Sequence, residues 1–176
     1  MIVSQDDWNN HAINEYAPPE FVGKLFLLDA HGRKLSFKEV GSGIGYVLPV
    51  LIESFKSAKD ESIVFLQQPE LHLHPALQAS LTDVLIEASA TKRIVAETHS
   101  EHMILRALKR VRQTANGSLK DPELKLYADD VAVNYFEPLP DGSTRVHILR
   151  VSEDGDFLDR WPNGFFAERD RELFDE

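Results

Sequence analysis

Two stretches hold most of the polar side chains that chemistry at a single place would need. Residues 62–75 read SIVFLQQPELHLHP and residues 95–102 read VAETHSEH. In each, a short apolar run ends in polar groups. Gln67 and Gln68 are neutral amides. Their carbonyl oxygens can bind a hard cation such as Mg²⁺ without adding charge, but an amide cannot serve as a general base. Glu70 is the nearest carboxylate. His99 directly follows an apolar run, so its imidazole needs a polar partner, either a phosphate or nearby backbone carbonyls. His72, His74, His99 and His102 offer imidazoles to a metal. Their short loop spacings are a weak signal, and His72 and His74 suit packing or turn capping equally well. A glycine cluster, GSGIG over 41–45, precedes the apolar run YVLPVLIESF. Backbone N–H groups at a helix N-terminus favour anions, and a glycine-rich loop entering a helix suits that job.

These groups can act together only if the chain brings them to one edge. Ile63 to Leu66 is wholly apolar, the pattern of a strand buried on both faces. Leu77, Leu81, Val84, Leu85 and Ala88 fall on one face of a helix starting at Pro75. Arg93 to Glu97 reads as a second strand, and Ile104, Ala107, Leu108 and Val111 mark the next amphipathic helix. Strand, helix, strand, helix with short links predicts a parallel sheet covered by helices, with the two strands adjacent. In such sheets ligands bind beyond the carboxyl ends of the strands, where Gln67, Gln68 and His99 would stand. Upstream, residues 23–37 read as two short strands around a turn at Ala30-His31-Gly32. Pro49 is best tolerated near a helix start, which places that start close to Gly45. Downstream, Asn116 to Asp121 is a loop. Val131–Glu137 and Thr144–Val151 form a late antiparallel pair joined through Pro140-Asp141-Gly142. The tail predicts a turn and a short terminal helix.

The bulk properties limit the choice of function. The 176 residues suit one domain with a sizeable core, and 43% hydrophobic with 27% charged residues is a globular balance. No apolar run approaches the roughly 20 residues of a membrane span. The N-terminus lacks the pattern of a secretory signal, and no cysteine is present, which together fit the cytoplasm. A net charge of −10, from 29 acidic and 19 basic residues, argues against direct nucleic-acid binding, which relies on cations neutralising phosphates. The basic stretch LRALKRVRQ, 105–113, reads as the solvated face of a helix.

Taken in order, GSGIGYVLPVL, FLQQPELHLHPALQ and VAETHSEHMILR resemble the C-terminal half of an ABC-type ATPase domain. The likeness is to the branch shared by the SMC, recombination-repair and overcoming-lysogenisation-defect ATPases, often filed as AAA ATPases. WPNGFF, residues 161–166, resembles a small C-terminal domain of unestablished function found on some members. The resemblance implies an α/β fold, a partial P-loop NTPase lobe, over roughly residues 24–176. It makes GSGIG the signature loop, which contacts the γ-phosphate held by an opposing subunit through Ser42, Gly43 and Gly45. Many relatives carry Ser-Gln where this chain has Gly45-Tyr46. It makes 63–68 the Walker B strand. Gln67 then stands at the acidic position that holds Mg²⁺ through water, and Gln68 at the position that polarises the attacking water. Close relatives often keep one acid followed by Gln, so Gln67 is the unusual residue. Glu70 belongs to the PE-hydrophobe-HLHP turn, and Thr98-His99-Ser100 to the loop whose histidine reaches the γ-phosphate.

The phosphate-cradling string G-x-x-x-x-G-K-[ST], Walker A, does not occur in these residues. The expectation is therefore half an ATPase head: a lead-in over 1–22, an ATPase-like lobe over 23–137 and an appendage over 138–176. ATP and Mg²⁺ would bind only in a site completed by a Walker A-bearing lobe or a second ATPase subunit, a homodimer included. The isolated chain is expected to be inactive. A pseudo-ATPase interaction module is the second reading, and a histidine-based metal hydrolase the third. A lobe should leave an apolar face open, and a hydrolase should gather three ligands at one point. The parent process, whether DNA repair, chromosome handling or phage defence, does not follow from fold analogy.

Overall fold

The computed structural model describes residues 26–29, 31–56 and 62–162. The expected lead-in and the expected terminal helix lie outside the described residues. Strands β1 (Leu27–Leu28) and β2 (Lys34–Leu35) pair antiparallel. Asp29 shapes their turn, its carboxylate accepting from the backbone N–H of His31 at 2.8 Å and of Arg33 at 2.9 Å.

Helix α1 (Ser42–Phe55) starts before the position the proline rule suggested, with Gly41 at its N-cap. Pro49 lies inside it. A proline there forgoes one helical hydrogen bond and crowds the carbonyl four residues back, which belongs to Gly45. At the other end, buried Lys92 donates its ammonium to the carbonyls of Glu53 and Ser54, the latter at 3.0 Å. A cation at that position suits the negative end of the helix dipole.

Strands β3 (Ile63–Gln67) and β4 (Arg93–Glu97) are adjacent and parallel, in register from Ile63↔Arg93 to Gln67↔Glu97. Helices α2 (Pro75–Ser89) and α3 (Glu101–Ala115) follow them. This is the expected strand–helix alternation. Pro75 opens α2 where its missing N–H costs nothing, and the side chains of His74 and Ser100 cap α2 and α3. One expectation fails: β3 is not buried on both faces. Val64, Leu66 and Ile94 are half-buried, while Ile63, Phe65 and Val95 are 49%, 74% and 48% exposed. An apolar run has no periodicity, so it cannot reveal whether a second layer covers the strand.

The core lies instead between the helices and the chain that follows them. Ile86, Val111, Leu124 and Leu126 cluster, with Ala107, Leu119, Ala128, Val131 and Val151 packed around. Leu81, Leu85 and Ala88 of α2 are buried as expected, but Leu77 is 53% exposed. The basic stretch in α3 is more than a solvated face. Arg110 grips Asp83 of α2 through two bonds of 2.8 Å, and Arg106 reaches the same carboxylate at 2.9 Å. The hydrogen bond to Asp83 pushes the Arg110 guanidinium further up its range. Two arginines one turn apart on α3 thus fix its orientation against α2.

After two single-turn 3₁₀ helices (Pro122–Leu124 and Ala128–Asp130), β5 (Val133–Pro138) and β6 (Thr144–Leu149) form an antiparallel hairpin. The division expected at 137/138 passes through it. Gly142, with φ +84°, makes the tight turn that the Pro-Asp-Gly sequence predicts. The loop beyond the hairpin docks on α3. Arg112 donates to the carbonyls of Asp154 and Gly155 and to the Asp156 carboxylate, at 3.0, 3.1 and 2.7 Å. Gly155 approaches so closely that a Cβ there would lie 2.2 Å from the Leu108 carbonyl oxygen. Among the described residues no helix is long and apolar enough to cross a membrane.

Candidate functional site at the carboxyl ends of β3 and β4

The parallel register brings both polar stretches to one edge. Gln67 ends β3 beside Glu97, which ends β4, and both are exposed. The Gln68 N–H donates to the Glu97 carbonyl at 2.8 Å, so the ladder extends one residue beyond the strand. There the chain turns abruptly. Gln68 and His72 adopt φ of +44° and +62°, conformations that side chains other than glycine enter at a cost. Two turn hydrogen bonds, Leu71 N–H to Gln68 and Leu73 N–H to Glu70, both at 3.1 Å, close the PELHLH segment.

Glu70 holds this turn to the next loop. It is only 7% exposed. Its Oε1 accepts from the Thr98 hydroxyl at 2.7 Å and from the His99 N–H at 2.8 Å. The Thr98 Oγ1 in turn accepts from the Ser100 N–H at 3.0 Å. The Ser100 hydroxyl accepts from Met103 N–H and donates to Gln78 Oε1, and Gln78 Nε2 reaches back to the Leu73 carbonyl. The backbone of His99 is thus fixed while its ring is exposed. Glu70 Oε2 is buried with no hydrogen-bond partner among the described residues. A buried acceptor in that state costs stability. The sequence reading placed Ser100 only within the histidine loop and gave Gln78 no role. A serine directly before the first helical residue is a capping signal that would have found Ser100.

The other candidates divide. The His74 Nδ1 accepts from the Ala76 N–H at 3.3 Å, a capping role. His72 packs on Tyr46, ring centroids 4.8 Å apart, and His102 is exposed on α3. Among the described residues no three His, Cys, Asp or Glu side chains gather as a metal ion would require. The four histidines therefore do not form the centre that a metal hydrolase needs. Ser42, Gly43 and Gly45 occupy the first turn of α1. A Cβ at Gly43 would stand 2.6 Å from the His72 carbonyl oxygen, so this glycine lets α1 seat on the strained turn. Nothing lies within 4 Å of a Cβ at Gly45. Gly43→Ala is expected to destabilise the protein by about 1–3 kcal/mol through overpacking against backbone. Gly45→Ala should be neutral or stabilising by up to about 1 kcal/mol, the helix-propensity gain. Urea denaturation of the two variants measures the difference. Equal effects would disprove the packing role of Gly43.

The comparisons with known proteins agree with this arrangement at the level of family. A family described as an AAA ATPase domain matches residues 3–104. A second, described as a protein of unknown function (DUF3696), matches residues 126–175, a range that holds the β5–β6 hairpin and WPNGFF. No curated protein matches the chain. The first match covers more than half of the 176 residues and includes α1, β3, α2, β4 and the polar edge they form, so the chain belongs to the AAA ATPase domain family.

Proposed function

We propose that this chain contributes one side of an ATP site whose phosphate cradle comes from a Walker A-bearing lobe or a second ATPase subunit. The reading assigns the chain to the SMC-like, overcoming-lysogenisation-defect-like branch of the AAA ATPases. The observation that carries it is the common edge where Gln67, Gln68 and the His99 loop stand side by side at the ends of parallel strands. The open apolar face of Ile63, Phe65 and Val95 supports it, because a lobe that packs against another leaves such a surface. ATP, with Mg²⁺ at full affinity, is bound only in the completed site. Gln67 offers Mg²⁺ a neutral oxygen, Gln68 orients water without taking its proton, and Ser42, Gly43 and Gly45 face phosphate from the start of α1. Thr98 positions the loop, and the exposed ring of His99 senses the γ-phosphate.

Two measurements test this. Calorimetry with ATP and Mg²⁺ should find no micromolar binding to the isolated chain, since the main phosphate cradle is absent from it and a net charge of −10 repels a polyanion. A micromolar dissociation constant would defeat the reading. With the Walker A-bearing partner present, association should depend on ATP, and His99→Ala should weaken it by about tenfold, the scale of one lost charge-assisted hydrogen bond. Association indifferent to nucleotide would favour a pseudo-ATPase interaction module instead.

A further inference from the structure

We infer that Glu97 supplies the carboxylate for a hydrated divalent cation at this edge, with the Gln67 carbonyl as a second, neutral oxygen. The inference deepens the proposed ATP site and rests on that reading for the identity of the cation as Mg²⁺. Paired residues of a parallel ladder point to the same face of the sheet, and neighbouring strands lie about 4.8 Å apart. Gln67 and Glu97 are such a pair, the last of the ladder, and both are exposed. The hydrogen bond from Gln68 N–H to the Glu97 carbonyl, 2.8 Å long, fixes that register at its final residue. Glu70, a second carboxylate near the edge, is buried and engaged with Thr98 and His99. The charge that position 67 lacks therefore sits one strand across, on the same face. Mg²⁺ keeps several waters and takes one or two carboxylates alongside nucleotide phosphates, so a single carboxylate and an amide are a fitting protein share. Sequence reading alone passes over Glu97, which is separated from Gln67 by α2 and becomes its neighbour only through strand pairing.

The test uses Mn²⁺ alone as the probe on the ¹⁵N-labelled full chain, because Mn²⁺ favours the same oxygen ligands and broadens nearby amide signals. At substoichiometric Mn²⁺, broadening should concentrate on the amides around Gln67 and Glu97. Glu97→Gln, an isosteric change at an exposed site, should weaken the apparent affinity there about tenfold, and Gln67→Glu should tighten it about tenfold, since affinity follows ligand charge. Glu87→Gln, on exposed α2 surface, should leave it unchanged. Broadening that ignores Glu97→Gln, or that spreads evenly over exposed carboxylates, would overturn the inference. The Mg²⁺ requirement of nucleotide-dependent association with the Walker A-bearing partner separates the two ideas. An unchanged requirement in Glu97→Gln would sink the role of Glu97 and leave the ATP site standing. Association of the unaltered chain without regard to nucleotide would sink the ATP site, and the Mn²⁺ map would still decide whether Glu97 binds a cation.

Discussion

Gln68→Glu is expected to raise ATP turnover about 10²- to 10⁴-fold in the complex with a Walker A-bearing partner, the usual contribution of a general base. The reason lies in the amide. Gln68 can hold a water through its carbonyl, but an amide nitrogen or oxygen does not accept a proton near neutral pH. The unaltered complex should therefore hold ATP longer than it cleaves it. Glutamate keeps the length of glutamine, and the φ of +44° at this position is equally costly for both, so the substitution adds no backbone strain. Gln67→Glu should also raise turnover, by restoring a charged ligand to Mg²⁺. Single-turnover hydrolysis by the unaltered and altered pairs is the measurement. Rapid cleavage by the unaltered pair, with no gain from either substitution, would make both glutamines bystanders and place the working carboxylate on the partner or on another residue.

The second large effect is expected at Glu70. Removing the buried carboxylate with Glu70→Ala strands two donors, the Thr98 hydroxyl and the His99 N–H, in a partly buried setting. Each unsatisfied donor costs about 1–3 kcal/mol, and the unpartnered Oε2 removed with the side chain offsets part of that. The net loss should be about 2–4 kcal/mol, read by urea denaturation. Glu70→Gln keeps one acceptor oxygen for both donors, and its loss should stay within about 1 kcal/mol. Amide hydrogen exchange adds a local readout. In Glu70→Ala the His99 amide should exchange at least about tenfold faster, equivalent to about 1.4 kcal/mol, relative to amides in the α2–α3 core. Equal acceleration throughout the chain would show that Glu70 serves general stability and does not specifically hold the His99 loop.

What could be read from the residues in order is what depends on local patterning. The β3 and β4 runs, the helix openings at Pro75 and after Ser100, and the hairpin turn at Pro140-Asp141-Gly142 follow from apolar periodicity, proline geometry and capping chemistry. So does the AAA ATPase family, because its motifs are short strings in a fixed order. Only the tertiary structure decided what depends on contacts between distant segments. Position 43 needs a residue without a side chain because the His72 carbonyl comes within reach of the first turn of α1. Arg106 and Arg110 converge on Asp83 because α2 and α3 lie side by side. The exposure of Phe65 depends on whether a second layer packs against β3, and an apolar side chain has the same identity whether that layer is present or not. Glu70 and Glu97 show the same division within the site. As letters they are two glutamates near strand ends. Burial and hydrogen bonding turn the first into a latch on His99, while strand register turns the second into the neighbour of Gln67.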